Sequence, residues 1–302
     1  MSGMHSELAA TIARFVRTDG LHPSPVPGVH CVRYSNTDRR AKRQWRACLA
    51  IVAQGCKEVL LGRDTYRCAE GRYTATPIPL PVISRIAIAA PDRPFLAILI
   101  DLDPLTVAEV AAQIGPPTAE EAGSTSRALF SGAADKGMLE AAARLGRVLQ
   151  APDRARVLGP LIVRELFYHL LTGPEGAAIR EFVSAGSAMH RIANAAFMIR
   201  TNLHSSFDVG ALAKASGMSR SAFFQHFRDV TAMSPIQYQK RLRLLEARRL
   251  MIEDDETAER SSFRVGYQSA SQFSREYVRM FGVSPRRDAA KLRRVGGGLR
   301  LL

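Results

Sequence analysis

The stretch from Asp208 to Asp288 carries the same pattern twice, and nothing else in the chain limits its possible folds as tightly. Gly217-Met-Ser-Arg-Ser-Ala-Phe-Phe-Gln-His-Phe-Arg-Asp-Val-Thr-Ala-Met-Ser-Pro235 returns about fifty residues later as Tyr267-Gln-Ser-Ala-Ser-Gln-Phe-Ser-Arg-Glu-Tyr-Val-Arg-Met-Phe-Gly-Val-Ser-Pro285. Ser219 falls on Ser269, Ser221 on Ser271, Phe223 on Phe273, Phe227 on Tyr277, and Ser234-Pro235 on Ser284-Pro285. Self-similarity at a fixed offset marks duplicated supersecondary units. Each unit reads as a short helix, a tight turn and a second helix.

The charge supports a polyanionic partner for this region. The chain of 302 residues carries a formal +14, of which about +10 lies after residue 186, where 20 Lys and Arg face 10 Asp and Glu. Such asymmetry suits nucleic acid or an anionic surface, although a solubilising face gives the same composition. The first twenty residues contain His5, Glu7, Arg14 and Arg17 and no continuous apolar core, which is unlike a signal peptide. The apolar runs Ile83 to Ala90 and Phe95 to Ile100 are too short to span a bilayer. Cys31, Cys48, Cys56 and Cys68 lack CxxC spacing and read as buried reduced thiols. A cytoplasmic chain away from membranes is the expectation.

The N-terminal region begins with an amphipathic helix over residues 6–18, with Leu8, Ile12, Phe15 and Val16 on one stripe. Gly20 stops it, and His22-Pro-Ser-Pro-Val-Pro-Gly28 leads on in extended form. Short β-branched runs then predict strands at residues 29–34, 47–53, 58–61, 65–68, 72–76, 82–90 and 95–102. Seven strands at this spacing suit a small antiparallel barrel or sandwich. His22 and His30 are eight residues apart with no acidic partner nearby in sequence, so no metal site is expected. Helices are predicted over residues 104–114, 135–150, 157–171 and 177–182; they could pack on the barrel, on a second copy, or on both. Glu120 to Thr125 reads as exposed, and Ser184-Ala-Gly-Ser187 as a domain boundary. The expected fold class is α+β: a β-barrel with flanking helices over residues 1–185, then an all-α domain over 186–295 and a frayed tail over 296–302.

In the second domain a helix over residues 189–202 places Ile192, Ala195, Ala196 and Ile199 on one face. Asp208 and Ser219 are good N-caps. Ser234-Pro235-Ile-Gln237 combines a capping box with Pro at the first helical position, and Gln272 completes a second box with Ser269. The helix from Pro235 to about Ile252 is expected to bury Ile236, Leu242, Leu245 and Met251 and to expose Lys240, Arg241, Arg243, Arg248 and Arg249. At about eighteen residues it spans roughly 27 Å. Adding the units' own width brings this near the ~34 Å repeat of B-DNA, so two second helices could enter successive major grooves. Phe223, Phe227, Phe273, Tyr277 and Phe281 recur at helical spacing and read as core; the alternative is a stripe that stacks on single-stranded bases.

The motifs Gly-Met-Ser-Arg-Ser-x-Phe, Thr231-x-Met-Ser-Pro-x-Gln-Tyr-x-Lys-x-Leu-Arg-Leu-x-Glu-Ala-Arg-Arg-Leu and Val265-Gly-Tyr-x-Ser-Ala-Ser-Gln-Phe-Ser-Arg-Glu-Tyr-x-Arg-x-Phe-Gly-Val-Ser-Pro285 resemble the AraC/XylS family of bacterial transcription regulators. The match covers about a hundred C-terminal residues. More weakly, Cys48 to Lys57, Ile98 to Asp103 and Leu171 to Gly176 are similar to the cupin-like regulatory domain of one AraC subgroup. The resemblance implies a sensor or dimerisation domain joined to a bipartite DNA-binding domain. Double-stranded DNA is then the partner, while RNA polymerase, a small-molecule effector in the barrel and a second copy of the chain stay open. No cofactor is expected.

Carried over by position, the base-reading residues are Arg220, Ser221, Phe224 and Gln225 in the first unit and Ala270, Ser271, Ser274 and Arg275 in the second. Arg275 suits guanine, Gln225 adenine, and the serines either. Phe224 stands where a polar residue is expected; it touches a thymine methyl or turns into the core. Phosphate-contact candidates are Ser219, Arg228, Lys240, Arg241, Ser269, Gln272 and Arg279, with Arg220 a further one. His204 and His226 read as surface residues or as lying at the duplex edge. Ser261 and Ser262 replace small apolar residues in the bracing helix of the second unit, which leaves its packing to be accounted for. P-loop, GxSxG and zinc spacings are absent. The rival readings are a metal-dependent cupin-type enzyme with a basic helical appendage, and a basic module for RNA or protein partners.

Overall fold

The computed structural model describes residues 2–38, 41–115, 127–205 and 208–294. The stretch Glu120 to Thr125 and the tail from Val295 lie outside them. Helix α1 (Ser2–Phe15) buries Leu8 and Ile12, with Val16 just beyond its end, and leaves Phe15 half-buried. Ten strands follow: β1 (Gly20–Pro23), β2 (Val29–Tyr34), β3 (Ala41–Trp45), β4 (Cys48–Gln54), β5 (Cys56–Leu61), β6 (Asp64–Ala69), β7 (Arg72–Thr76), β8 (Leu80–Ile88), β9 (Phe95–Asp101) and, later in the chain, β10 (Phe130–Ala133). They form two antiparallel sheets, ordered β1-β2-β9-β4-β7-β10 and β3-β8-β5-β6.

The expected α+β class holds, and of the barrel or sandwich open to these strands the two sheets form a barrel that does not close: among the described residues no strand is hydrogen-bonded into both. The crossing from β4 to β5 shows the reason. Gly55 alone joins them at φ +80°, and a Cβ there would lie 2.6 Å from the Ile88 carbonyl oxygen. The chain turns a corner between sheets at this glycine instead of extending a ladder. Three strands were not expected. In β3 alternate residues Arg43 and Trp45 are buried while Lys42 and Gln44 are half-buried, so the run is too charged to read as a strand. Strands β1 and β10 are only four residues long.

Helices α2 (Pro104–Ile114), α3 (Lys136–Val148), α4 (Pro152–Thr172) and α5 (Gly176–Val183) complete the first half. Helix α4 starts at Pro152, five residues before the expected Val157, and runs through an internal Pro160. Helix α1 packs on β4, β9 and α3, and α3 packs on α4. Helix α1 thus covers the first sheet, and α3 and α4 are layered behind it.

The second half comprises α6 (Ala188–Thr201), α7 (Val209–Ala215), α8 (Arg220–Thr231), α9 (Pro235–Glu253), α10 (Ala258–Arg264), α11 (Ala270–Phe281) and α12 (Pro285–Arg294). The capping box of α9 forms in full. That of α11 forms by half: Ser269 accepts from the Gln272 backbone, but the Gln272 side chain donates to Glu276 instead. The apolar core does not divide at residue 186. One cluster runs from Leu8 through both sheets and α6 to Phe223, Phe227, Tyr238 and Leu242. A second, smaller cluster begins on the same helix at Leu244 and holds Phe273 and Tyr277. Hydrogen bonds also tie the halves together. Ala128 N donates to the Val230 carbonyl at 3.0 Å, Tyr238 Oη to the Pro79 carbonyl at 2.6 Å, and Lys42 Nζ to the Met280 carbonyl.

Candidate nucleic-acid interface

Each repeat folds as a helix, a left-handed turn and a second helix. In the first, Asp208 caps α7, Gly217 turns at φ +61°, and Ser219 caps α8 through the Ala222 amide. In the second, Thr257 caps α10, Gly266 turns at φ +91°, and Ser269 caps α11. Gly266 is required twice over, since a Cβ there would meet the His204 carbonyl oxygen at 2.3 Å. Phe223 and Phe227 in α8 and Phe273 and Tyr277 in α11 are fully buried, with ring centroids 5.7 and 5.4 Å apart in the two pairs. The duplicated aromatics are core, and Phe281 packs half-buried at its edge, 4.4 Å from Tyr277.

That burial fixes which side of each second helix meets solvent. Ser219, Arg220, Ser221, Gln225 and Arg228 are exposed along α8, and Ser269, Ser271, Gln272, Arg275 and Arg279 along α11; Ala270 and Ser274 are half-buried. Arg228, Arg275 and Arg279 make no hydrogen bond or ion pair among the described residues. Other candidates are engaged. Gln225 donates to the Asp229 carboxylate at 2.9 and 3.0 Å, and the Ser219 and Ser221 hydroxyls lie 3.2 Å apart. The Arg220 guanidinium sits 6.0 Å from the ring centroid of Phe224, which is half-buried against the large core. Ser261 and Ser262 are wholly buried but satisfied, by Glu256 and by the Glu259 carbonyl. Their polarity costs the bracing helix no unmade bond.

The connector α9 departs most from expectation. Ile236 is 53% exposed, while Tyr238, Gln239, Leu244, Ala247 and Leu250 join Leu242, Leu245 and Met251 inside. Three of the five cations read as exposed are structural. Arg243 donates to the Leu203, Ser205 and Gly266 carbonyls at 2.6, 2.8 and 3.1 Å, locking the turn of the second unit. Arg248 pairs with the buried Asp288 at 2.8 Å and lies 4.6 Å over the Phe281 ring. Arg249 is held by Glu246, Glu253 and Asp254. Lys240 is paired too, reaching Glu276 on α11 at 2.8 Å. Burial pushes the Glu276 carboxyl up, but bonds from Lys240, Tyr267 and Gln272 outweigh it and hold it below its ordinary value. Arg241 stays exposed.

Concave features lie elsewhere among the described residues. A cleft of about 1030 Å³ runs between the sheets and the second half, lined among others by Arg46, Asp101, Phe197, Arg200 and Arg249. His30 does have an acidic partner there: strand pairing brings Asp101 to 3.5 Å, although the two are far apart in sequence. Burial works to raise Asp101, but His30 and Arg46 prevail and keep it low. A second cavity lies between the two sheets and is lined by Lys57. The sequence pattern starts this strand at Glu58 and leaves Lys57 outside it; the parity of Lys57 with Val59 and Leu61 is the available signal. All four cysteines are buried and unpaired, as expected. Among the described residues no cluster of His, Cys, Asp or Glu could hold a metal ion, and no helix is long and apolar enough to cross a membrane.

Residues 25–178 match the model of the AraC-type transcriptional regulator N-terminus, and residues 212–290 match a helix-turn-helix domain. The chain belongs to the AraC-type transcriptional regulators. Among curated relatives of this family, the MmsAB operon regulatory protein of Pseudomonas aeruginosa is 28% identical over 100 residues, 33% of either chain. The chain thus spans about a third of that relative's length. Two solved structures of Vibrio cholerae ToxT share the AraC-type fold with it. One, with an unsaturated fatty acid bound, gives a TM-score of 0.58 at 11% identity over 85% of this chain and 92% of ToxT. The other, bound to (E)-4-(8-methylnaphthalen-1-yl)but-3-enoic acid, gives 0.59 at 11% identity over 87% and 98%. The family offers no support for the enzyme alternative.

Proposed function

We propose that this protein is a one-component transcription regulator that binds double-stranded DNA sequence-specifically, with α8 and α11 in two successive major grooves. The observation that carries this reading is the duplicated second helix, each copy presenting an exposed polar and cationic face, both braced on α9. At 19 residues that helix is roughly 28 Å long. In this reading Arg220, Ser221, Phe224, Gln225, Ala270, Ser271, Ser274 and Arg275 face base edges. Ser219, Arg228, Arg241, Ser269, Gln272 and Arg279 hold phosphates. Lys240, tied to Glu276, sets the position of α11 and reaches a phosphate only by leaving that pair. The fatty acid and the butenoic acid in the ToxT structures motivate a small-molecule effector for the N-terminal open barrel. A second copy and RNA polymerase are further partners of a regulator acting in the cytoplasm.

The test is selection of bound sites from a random duplex library by the full chain. Two blocks of preferred bases about one helical turn apart are expected, with affinity falling steeply as salt rises. Arg275→Ala should relax preference at one or two positions at about 1–3 kcal/mol, and Arg279→Ala should weaken all sequences alike and lower the salt slope by about 1. Equal affinity for single-stranded RNA and duplex DNA would overturn the reading.

A further inference from the structure

One cation on the inner face of the open barrel has no counterpart. Along β5, Lys57 shares its side of the strand with Val59 and Leu61, exposed by 0% and 1%. Its ammonium lies 4.8 Å from the Trp45 ring centroid and makes no ion pair or hydrogen bond among the described residues. Trp45 is 7% exposed, and its indole N–H has no acceptor among the described residues. Both side chains line an internal cavity of about 40 Å³ whose other walls are largely apolar, including Val32, Phe95 and Leu99, with no carboxylate among them. Arg46, which also lines it, is engaged by Asp101 at 3.0 Å. Two donors, one of them charged, thus border a largely apolar chamber whose other polar walls, Arg46 apart, are the Thr74 hydroxyl, which donates to Cys68, and the Cys48 and Cys68 thiols. Lys57 is half-buried, whereas the Trp45 N–H is buried and unsatisfied; such a donor is costly, and a ligand acceptor removes that cost.

The geometry points to this chamber as the binding site of a short-chain monocarboxylate, whose oxygens accept from Lys57 and Trp45 while its hydrocarbon end lies against Val32, Phe95 and Leu99. The inference rests on the reading of the open barrel as the sensing half. A cavity of about 40 Å³ holds only a few water-sized groups. That size suits acetate and propionate, not a long chain.

Burial, aided by Arg43, pushes the Lys57 ammonium down to about 8. Arg43 from β3, Asp38 from the loop before it, Cys48 from β4 and Cys68 from β6 are the groups that act on it. Tyr34 and Arg85 are grouped around it with Asp38 and Arg43. Arg43 is paired with Asp38 at 2.8 Å. Burial pushes both thiols up, Cys48 to about 12, so they stay neutral where Lys57 titrates.

The test is calorimetric titration of the full chain with propionate, without DNA, at about pH 7 and about pH 9. Propionate is expected to bind one to one, and propionamide at least tenfold more weakly. Affinity should fall about tenfold across that range, as the charged fraction of Lys57 drops from about nine tenths to about one tenth. Lys57→Met should abolish binding, and Trp45→Phe should weaken it severalfold with the far-ultraviolet circular dichroism unchanged. If Lys57→Met does not fold, the pH series and Trp45→Phe decide. Equal binding of propionate and propionamide, an affinity flat with pH, unaltered binding in a folded variant, or no heat from acetate, propionate or butyrate would each overturn the assignment. So would borohydride trapping of propanal on Lys57 without propionate binding, which would make the chamber a carbonyl receptor. A normal footprint with no propionate binding removes this site alone, and the reverse result removes the DNA reading alone.

Discussion

Asp288→Ala should cripple the second reading unit while sparing the first. Asp288 begins the inner face of α12 with its side chain 7% exposed. It accepts from Arg248 Nε at 2.8 Å, from a terminal guanidinium nitrogen of Arg248 at 3.3 Å, and from the Tyr277 hydroxyl at 2.8 Å. Removing the carboxylate leaves a guanidinium, itself only 11% exposed, with no counter-charge, and a buried hydroxyl with no acceptor. Breaking a buried pair from one side costs about 3–5 kcal/mol. The small core around Phe273 and Tyr277 is separate from the large one, so the loss should show as an early transition in urea, ahead of the main one. On DNA, the variant should protect only the block of bases read by α8. Replacing both partners with apolar groups, Arg248→Met with Asp288→Leu, should recover most of the stability. A single transition shifted by less than about 1 kcal/mol, the size of a surface pair, would refute this account of how α9 anchors α11.

Three further outcomes are expected. Tyr238→Phe removes the wholly buried bond to the Pro79 carbonyl; it should cost about 0.5–1.5 kcal/mol in equilibrium denaturation and speed hydrogen exchange at the Ala128 amide. Lys57 has its folded value lowered to about 8 from 10.5, so the folded state binds fewer protons than the unfolded across that window and stability rises with pH there. The advantage of Lys57→Met over the parent should therefore be full below about pH 8 and shrink toward pH 10 in thermal melts. Glu276 is held below its ordinary value by Lys240, Tyr267 and Gln272; its contribution is present above the unfolded carboxylate value and is lost as pH falls through the folded one. A Glu276→Gln variant should accordingly lose this acid sensitivity, which denaturation at about pH 3 and about pH 7 would reveal.

The duplicated unit was legible because its signals are local: N-cap serines, a glycine turn, and aromatics at helical spacing, all within twenty residues of one another. The helix boundaries in that region fall within a residue or two of expectation for the same reason. The role of the connector was not legible. Arg243 and Arg248 look like solvent-facing cations by composition, and only folding brings in the carbonyls of Leu203 and Gly266 or the carboxylate of Asp288, some twenty to forty residues away. Ile236 fitted an apolar stripe that a helix packed on several sides does not have. The base-facing assignments depended on family likeness, and exposure of Ser221 and Arg275 is compatible with them. Lys57 escaped because a lysine inside a strand reads as polar punctuation; its phase with Val59 and Leu61 was the clue. That the barrel stays open was not legible, because strand count cannot distinguish one curled sheet from two stacked ones.

The shared apolar cluster has a practical consequence for anyone wishing to separate the halves. Severing the chain at the Ser184–Ser187 link would strip the first reading unit of the sheets that shelter it, baring Val230, Tyr238 and Leu242, while Pro79 would lose the hydroxyl that reaches it. The excised fragment would carry an adhesive patch beside its DNA-facing helix and should clump at concentrations where the intact molecule stays dispersed.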